Sequence, residues 1–243
     1  MSTATHGRTA PGHLLDLPGQ THVAVGPLDL NGMYLAHHAF RRDLNRFAAA
    51  ARNTPVGAAD VWRALAVRWE QFSDVLHHHH TTEDDVLWPQ LLDVVDAAGN
   101  TEGRASLEAM EAEHELIDPL LRSCAAGFDS MARTPDAETR NRLADAAAAT
   151  RDSLTHHLRH EETEALPLVQ ALLPAEGWER VEQAAGSGQS PRKRVFLVPW
   201  AADGLSPAQL ETVLASLGGA YRVVLRLTRR PYERRERMAF RYA

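Results

Sequence analysis

Two short stretches hold most of the side chains capable of chemistry: HHHHTTEDDVLWP over residues 77–89 and HLRHEETEALP over residues 157–167. Each contains a histidine followed four residues later by a glutamate, His79 with Glu83 and His157 with Glu161. On a helix four residues turn the chain through about 400°, so the members of each pair project from nearly one face. Imidazole and carboxylate presented together are metal donors. The mixed set suits iron, manganese or zinc better than calcium or magnesium, which favour oxygen shells.

The run of four histidines leaves the register ambiguous, because His80 and Asp84 repeat the spacing one residue later. An internal repeat separates the two. The stretches align with His79 over His157, Glu83 over Glu161, Asp84 over Glu162 and Pro89 over Pro167, whereas His80 falls over Leu158. His79 is therefore expected to face inward, with His77, His78 and His80 pointing sideways or outward.

Long amphipathic segments must position these groups. Four are expected, roughly at 28–53, 57–97, 101–130 and 136–172, separated by RNTPVG, AAGNTEG and ARTPDAE, which carry turn and cap residues. Short connections between long helices imply antiparallel neighbours, so an all-α, up-down four-helix bundle is expected. Spacing of three and four gives each helix a buried seam. The seams read Leu30, Met33, His37, Phe40, Leu44, Phe47; Trp62, Leu65, Trp69, Phe72, Leu76, His79, Glu83, Val86; Leu107, Met110, His114, Ile117, Leu121, Cys124, Phe128; and Leu143, Ala147, Thr150, Leu154, His157, Glu161, Leu168. Each seam carries one histidine and two carry a glutamate. A buried ionised carboxylate without a partner is costly, so these acids must be paired, protonated or coordinated. Six donors exceed the needs of one structural zinc and suit two metals bridged by the glutamates.

A helix-one histidine, an HxxxE motif ending in proline, a lone helix-three histidine and a second HxxxE with its proline resemble the hemerythrin-like HHE cation-binding domain over about residues 28–172. The resemblance implies a bundle around a non-heme di-iron centre that binds oxygen or related species. Its ligands would be His37, His79, Glu83, His114, His157 and Glu161, with two iron ions ahead of manganese or zinc. Oxygen-carrying members have another histidine four residues after the helix-three ligand, where this chain has Asp118 followed by Pro119. They also carry HxxxxD in helix four, where this chain has His157 with Glu161 at the shorter spacing and Glu162 at the longer. Both departures point away from simple oxygen storage. The expected partner is a diatomic molecule or peroxide, bound or sensed; the alternative is an enzyme acting on peroxide, nitric oxide or a small organic substrate. Nothing suggests the cage that iron storage needs. Glu111, Asp118, Glu162 and His80 are expected to be supporting or surface groups, and His80, Glu162 and Asp118 are the candidate proton donors. Trp62, Trp69 and Phe72 would keep the pocket dry.

The remainder of the 243 residues bounds these expectations. Apolar residues make up 44% and charged ones 24%, as in ordinary globular proteins, and the 6% of aromatics with frequent alanine runs favours helix. Residues 1–26, rich in Gly, Pro and Thr, read as a flexible arm, and residues 27–174 as the bundle. Residues 175–243 read as a linker and a mainly helical basic appendage. Within that appendage VFLVPWAADG is expected to be a strand or extended turn. A helix follows with Ser206 as cap and Gly218 as stop, and a basic helix is expected to break near Pro231. Residues 221–243 hold eight arginines against two acids, a net +6 that leaves −12 for the rest of a chain of net charge −6. That body should not attract nucleic acid, and the tail is expected to dock on the acidic bundle of its own or another chain, making a homo-oligomer conceivable. Arg41 and Arg42 are expected on a solvated face, and Cys124 in the core. One cysteine allows no intramolecular disulfide; with no secretory start and no spanning segment, a cytoplasmic location is expected.

Overall fold

A computed structural model of the protein describes residues 15–187, 191–217 and 219–243, and among these it contains helices and no strand. Four long helical segments come first: α1 (Asn31–Asn53); α2 (Ala59–Thr82) continued through a π turn (Glu83–Leu87) into α3 (Trp88–Ala97); α4 (Thr101–Arg133); and α5 (Ala137–His160) continued through a second π turn (Glu161–Ala165) into α6 (Leu166–Leu172). Then follow α7 (Ala175–Gly186), α8 (Pro191–Ala202), α9 (Pro207–Leu217) and α10 (Gly219–Ala239). No described helix is long and apolar enough to cross a membrane.

Local chemistry fixes the ends that aim the site helices. The α3 helix stops where Gly99 adopts φ +66°. There the Asn100 amide donates to Val95 O and the Gly99 amide to Asp96 O, the paired bonds of a glycine-terminated helix. Asn100 then caps α4 by accepting from Gly103 N at 2.9 Å, and Asp136 caps α5 by accepting from Thr139 N at 2.8 Å.

The α1 helix packs along α5, α5 along α4, and α4 along α2, while α1 and α2 meet only sparsely. That thin seam is covered by the C-terminal helices: α7 and α10 lie on α2, and α8 lies on α1. Phe40, Phe47, Trp62, Trp69, Phe72 and Phe128 fill the interior, all within 2% of full burial.

Several sequence expectations change. Residues 195–202 of the VFLVPWAADG stretch are helical, closing α8, and residues 203–204 turn the chain; Trp200 in the helix is buried and donates through Nε1 to Asp43 Oδ2 at 2.7 Å. Pro231 does not break α10; it is exposed, while Leu225, Tyr232, Glu236 and Ala239 anchor the helix on both sides of it. Ser206 accepts from Gln209 N at the start of α9, whereas Gly218 lies outside the described residues. Residues 175–243, expected to include a linker before the appendage, begin directly with helix α7. Part of the expected arm lies against the bundle, with Leu15, Leu17 and Ala24 buried. The seams also shift beyond the two glutamates. Leu87 and Val169 are buried where Val86 and Leu168 were expected, since each π turn inserts an extra residue.

Arg41 and Arg42 are buried rather than solvated. Arg41 donates to Glu162, and Arg42 donates to Asp43 and to the carbonyls of Trp200 and Asp203. Cys124 is buried, its sulfur 3.3 Å from Thr150 Oγ1. The tail does dock on the bundle, but through Tyr232, Glu236 and Ala239, and its eight arginines are exposed.

Candidate metal centre

All six histidines and glutamates expected from the sequence converge at one level of the interior, and His80 joins them. They form two groups, His37, His79, Glu83 and Glu161 in one and His80, Glu83, His114 and His157 in the other. Within each group one donor atom per residue lies within 4.8 Å of every other. Glu83 belongs to both.

The expectation that His80 points outward is overturned. It is 5% exposed and stacks on His114, with ring centroids 4.0 Å apart and planes at 12°. His79 lies edge-on to His37 at 5.4 Å and against Phe40 at 5.1 Å. Successive helical residues diverge by about 100°, so His79 and His80 straddle the inward direction and serve different groups. His77 is exposed, and His78 donates from Nε2 to Ala185 O at 3.0 Å.

The geometry tests whether these residues fit a metal. At this centre seven buried atoms have no hydrogen-bond partner: Nε2 of His37, His79 and His80, and both carboxylate oxygens of Glu83 and of Glu161. His37 Nε2 lies 3.1 Å from Glu161 Oε2, and His79 Nε2 lies 3.0 Å from Glu83 Oε1, yet neither pair is aligned as a hydrogen bond. Polar groups buried this deeply are normally satisfied. Their concentration at one point is what a cation would relieve, so the donor set fits.

Carboxylates behind the imidazoles strengthen the fit. Nδ1 of His37 contacts Glu162 at 3.0 Å, Nδ1 of His114 contacts Asp84 at 2.8 Å, and Nδ1 of His157 contacts Glu113 at 2.9 Å. A carboxylate on Nδ1 keeps the proton there and leaves Nε2 as the free lone pair, the form that binds metals. Nε2 of His114 and of His157 then face each other at 3.0 Å, two lone pairs that need a shared cation or proton between them. Glu162 is further held by Arg41 at 2.7 Å and by the Thr21 amide at 2.7 Å.

Titration follows the same shortage of positive charge. Burial disfavours a charged His37, but Glu161 and Glu162 outweigh it and hold its pKa up at about 9. Glu161 stays at about 2 against its own burial because of His37. Burial and the Glu161 charge push Glu83 well above the usual carboxylate range. Burial, then His37, takes His79 down to about 3, and burial lowers His80 and His157. His79, His80 and His157 are thus held toward the neutral form, as metal ligation requires.

Glu111 and Asp118 are exposed, Asp118 lying 3.6 Å from Arg122, and neither reaches the centre. Glu113 was missed by the sequence reading; its only signal is that it precedes His114. A cavity of about 250 Å³ runs from exposed Asp29 and Glu182 to His79 and Glu83, walled in part by Phe40 and Trp178. The model of the hemerythrin HHE cation binding domain matches residues 29–169, a span that contains all seven donors. No curated protein and no solved structure matches the chain.

Proposed function

The chain belongs to the hemerythrin HHE cation-binding family, and from that premise we propose that it holds two iron ions and binds or senses oxygen, nitric oxide or peroxide at an open position between them. The observation that carries this reading is the pair of buried donor groups sharing Glu83. His37, His79, Glu161 and Glu83 would hold one ion, and His80, His114, His157 and Glu83 the other. The up-down four-helix bundle belongs to the same proposal. Two irons, when bound, supply Lewis acidity and a redox couple for small oxygen or nitrogen ligands.

The chain's own residues supply the rest. Glu162, Asp84 and Glu113 orient three imidazoles and raise their basicity. Phe40, fully buried, packs against the His79 ring, and Phe72, also fully buried, backs Phe40, an apolar wall on one side of that histidine. Glu162, hydrogen-bonded to His37, is placed to hold or pass a proton at Nδ1. The enzyme reading draws on one specific observation, the cavity that ends on His79 and Glu83 and exceeds what a diatomic ligand fills.

Elemental analysis and absorption spectra of iron-loaded protein, under argon and then after air, nitric oxide and peroxide, test the reading. Two irons per chain and a reversible band in air are expected. Less than one iron per chain would overturn the two-ion centre, and sustained oxygen release from peroxide would replace binding by catalysis.

A further inference from the structure

The cavity beside the centre is floored and walled by α1 and α2 and roofed by helices outside the family's span. Trp178, Val181 and Glu182 of α7 and Leu197 of α8 roof it, whereas the family model ends at residue 169. The α7 helix is pinned over the α1–α2 seam at both ends: Trp178 Nε1 donates to Asp29 O at 3.0 Å, and His78 Nε2 donates to Ala185 O. The floor is His79 and Glu83, 13% and 1% exposed at the side chain, with His79 Nε2 and both Glu83 oxygens lacking hydrogen-bond partners. Above the floor the walls are mainly apolar, Met33, Phe40, Val75, Trp178, Val181 and Leu197, with His78 and Thr82 as the polar members.

Size and charge narrow the occupant. At about 30 Å³ per water, a diatomic ligand needs roughly one water's volume, whereas 250 Å³ holds about eight. The mouth is acidic: Asp29 and Glu182 both line it and both are exposed. Partial burial and the charges of Asp29 and Glu179 raise the Glu182 pKa, with no opposing cation among the groups that act on it.

We propose that this cavity binds a small organic cation with an apolar body, of which a linear alkylamine is the simplest member. The ammonium group sits between Asp29 and Glu182, and the chain runs along Phe40 and Trp178 toward His79 and Glu83. That the inner end meets a metal rests on the function proposed above; the apolar walls and acidic mouth do not.

Calorimetric titration of hexylamine, hexanol and hexanoate into the full chain, zinc-loaded and metal-free, tests the assignment, with zinc content measured in each sample. One hexylamine per chain is expected in both forms, bound about tenfold more tightly than hexanol, with the preference shrinking as salt is added. The double variant Asp29→Asn, Glu182→Gln should lose the preference and still bind hexanol. Glu182→Lys, a change at an exposed position, should weaken hexylamine at least as much. Absence of saturable binding, equal affinity for amine and alcohol, preference for hexanoate in the metal-free protein, or an undiminished amine preference in the charge variants would each overturn the proposal. Failure to take up zinc would instead count against the metal centre, and the metal-free titration would still decide the cavity.

Discussion

His79 and His80 are neighbours in sequence that fall in different donor groups, because one residue of helix turns a side chain through about 100° and the two groups that share Glu83 lie on either side of the inward direction. His80 stacks on His114, while His79 meets His37. Replacing His79 by alanine removes a donor from one group, and replacing His80 removes one from the other. Each change is predicted to lower metal content from about two ions per chain toward one, and Glu83→Ala, which touches both groups, to lower it further than either. Elemental analysis of the purified variants checks this. An unchanged metal content in His80→Ala would make His80 a stacked core residue and leave the second group one donor short. The repeat already contained the clue that His80 faces inward. Its counterpart, Leu158, is an apolar residue in the middle of a polar stretch, and it is fully buried.

Both helices that carry a His-x-x-x-Glu motif widen into a π turn at the glutamate and return to α-helix just before a proline, Pro89 or Pro167. A proline inside a helix removes one backbone donor and drives its ring into the carbonyl four residues earlier, and a wider turn relieves that clash. The extra residue lets a histidine, its following glutamate and then Leu87 or Ala165 all face inward. Pro89→Ala is predicted to let the turn relax toward α-helix, lowering metal affinity while leaving the thermal stability of the metal-free protein unchanged or higher. Competition with a metal chelator and thermal unfolding measure the two effects; equal losses in both would mean that the proline serves packing alone. The sequence made the helices, the caps and the convergence of six histidines and glutamates legible, since each leaves a local mark of period, Asn or Asp before a turn, or His-x-x-x-Glu. It did not reveal the register shift, because a π turn has no residue signature beyond the proline that follows it. Glu113 and Asp84 were hidden for a different reason: a carboxylate behind an imidazole is fixed by how two helices cross, as Asp84 shows by reaching His114 from another helix.

At the scale of the molecule, the C-terminal helices are fastened by buried charge. Asp43, fully buried on α1, accepts from Arg42, Arg68 and Trp200 Nε1, and Arg68 also donates to Glu236 of α10 at 2.6 Å. Burial works against an ionised Asp43, yet Arg68, Arg42 and the tryptophan N–H hold its pKa below the usual 3.8. At Glu236 burial prevails over Arg68, and the pKa is raised. The two acids therefore carry opposite pH dependence. A depressed folded pKa means that Asp43's contribution is fully present above its unfolded value, about 3.9, and is lost as pH falls through the folded value. Asp43→Asn leaves Arg68 and Arg42 short of their partner and is predicted to cost about 3–5 kcal/mol at neutral pH. That gap should close below pH ~4, as the wild-type carboxyl takes up its proton and comes to resemble the amide. Glu236→Gln, which removes a charge already disfavoured by its surroundings, should cost less, with its gap narrowing as pH rises above the usual carboxylate range of about 4.3. Urea unfolding of the metal-free proteins from about one unit below these values to about three units above them, followed by tryptophan fluorescence, reads both trends. A gap for Asp43→Asn that stays constant across the acid range would mean that the buried carboxyl packs the C-terminal helices by shape rather than by charge.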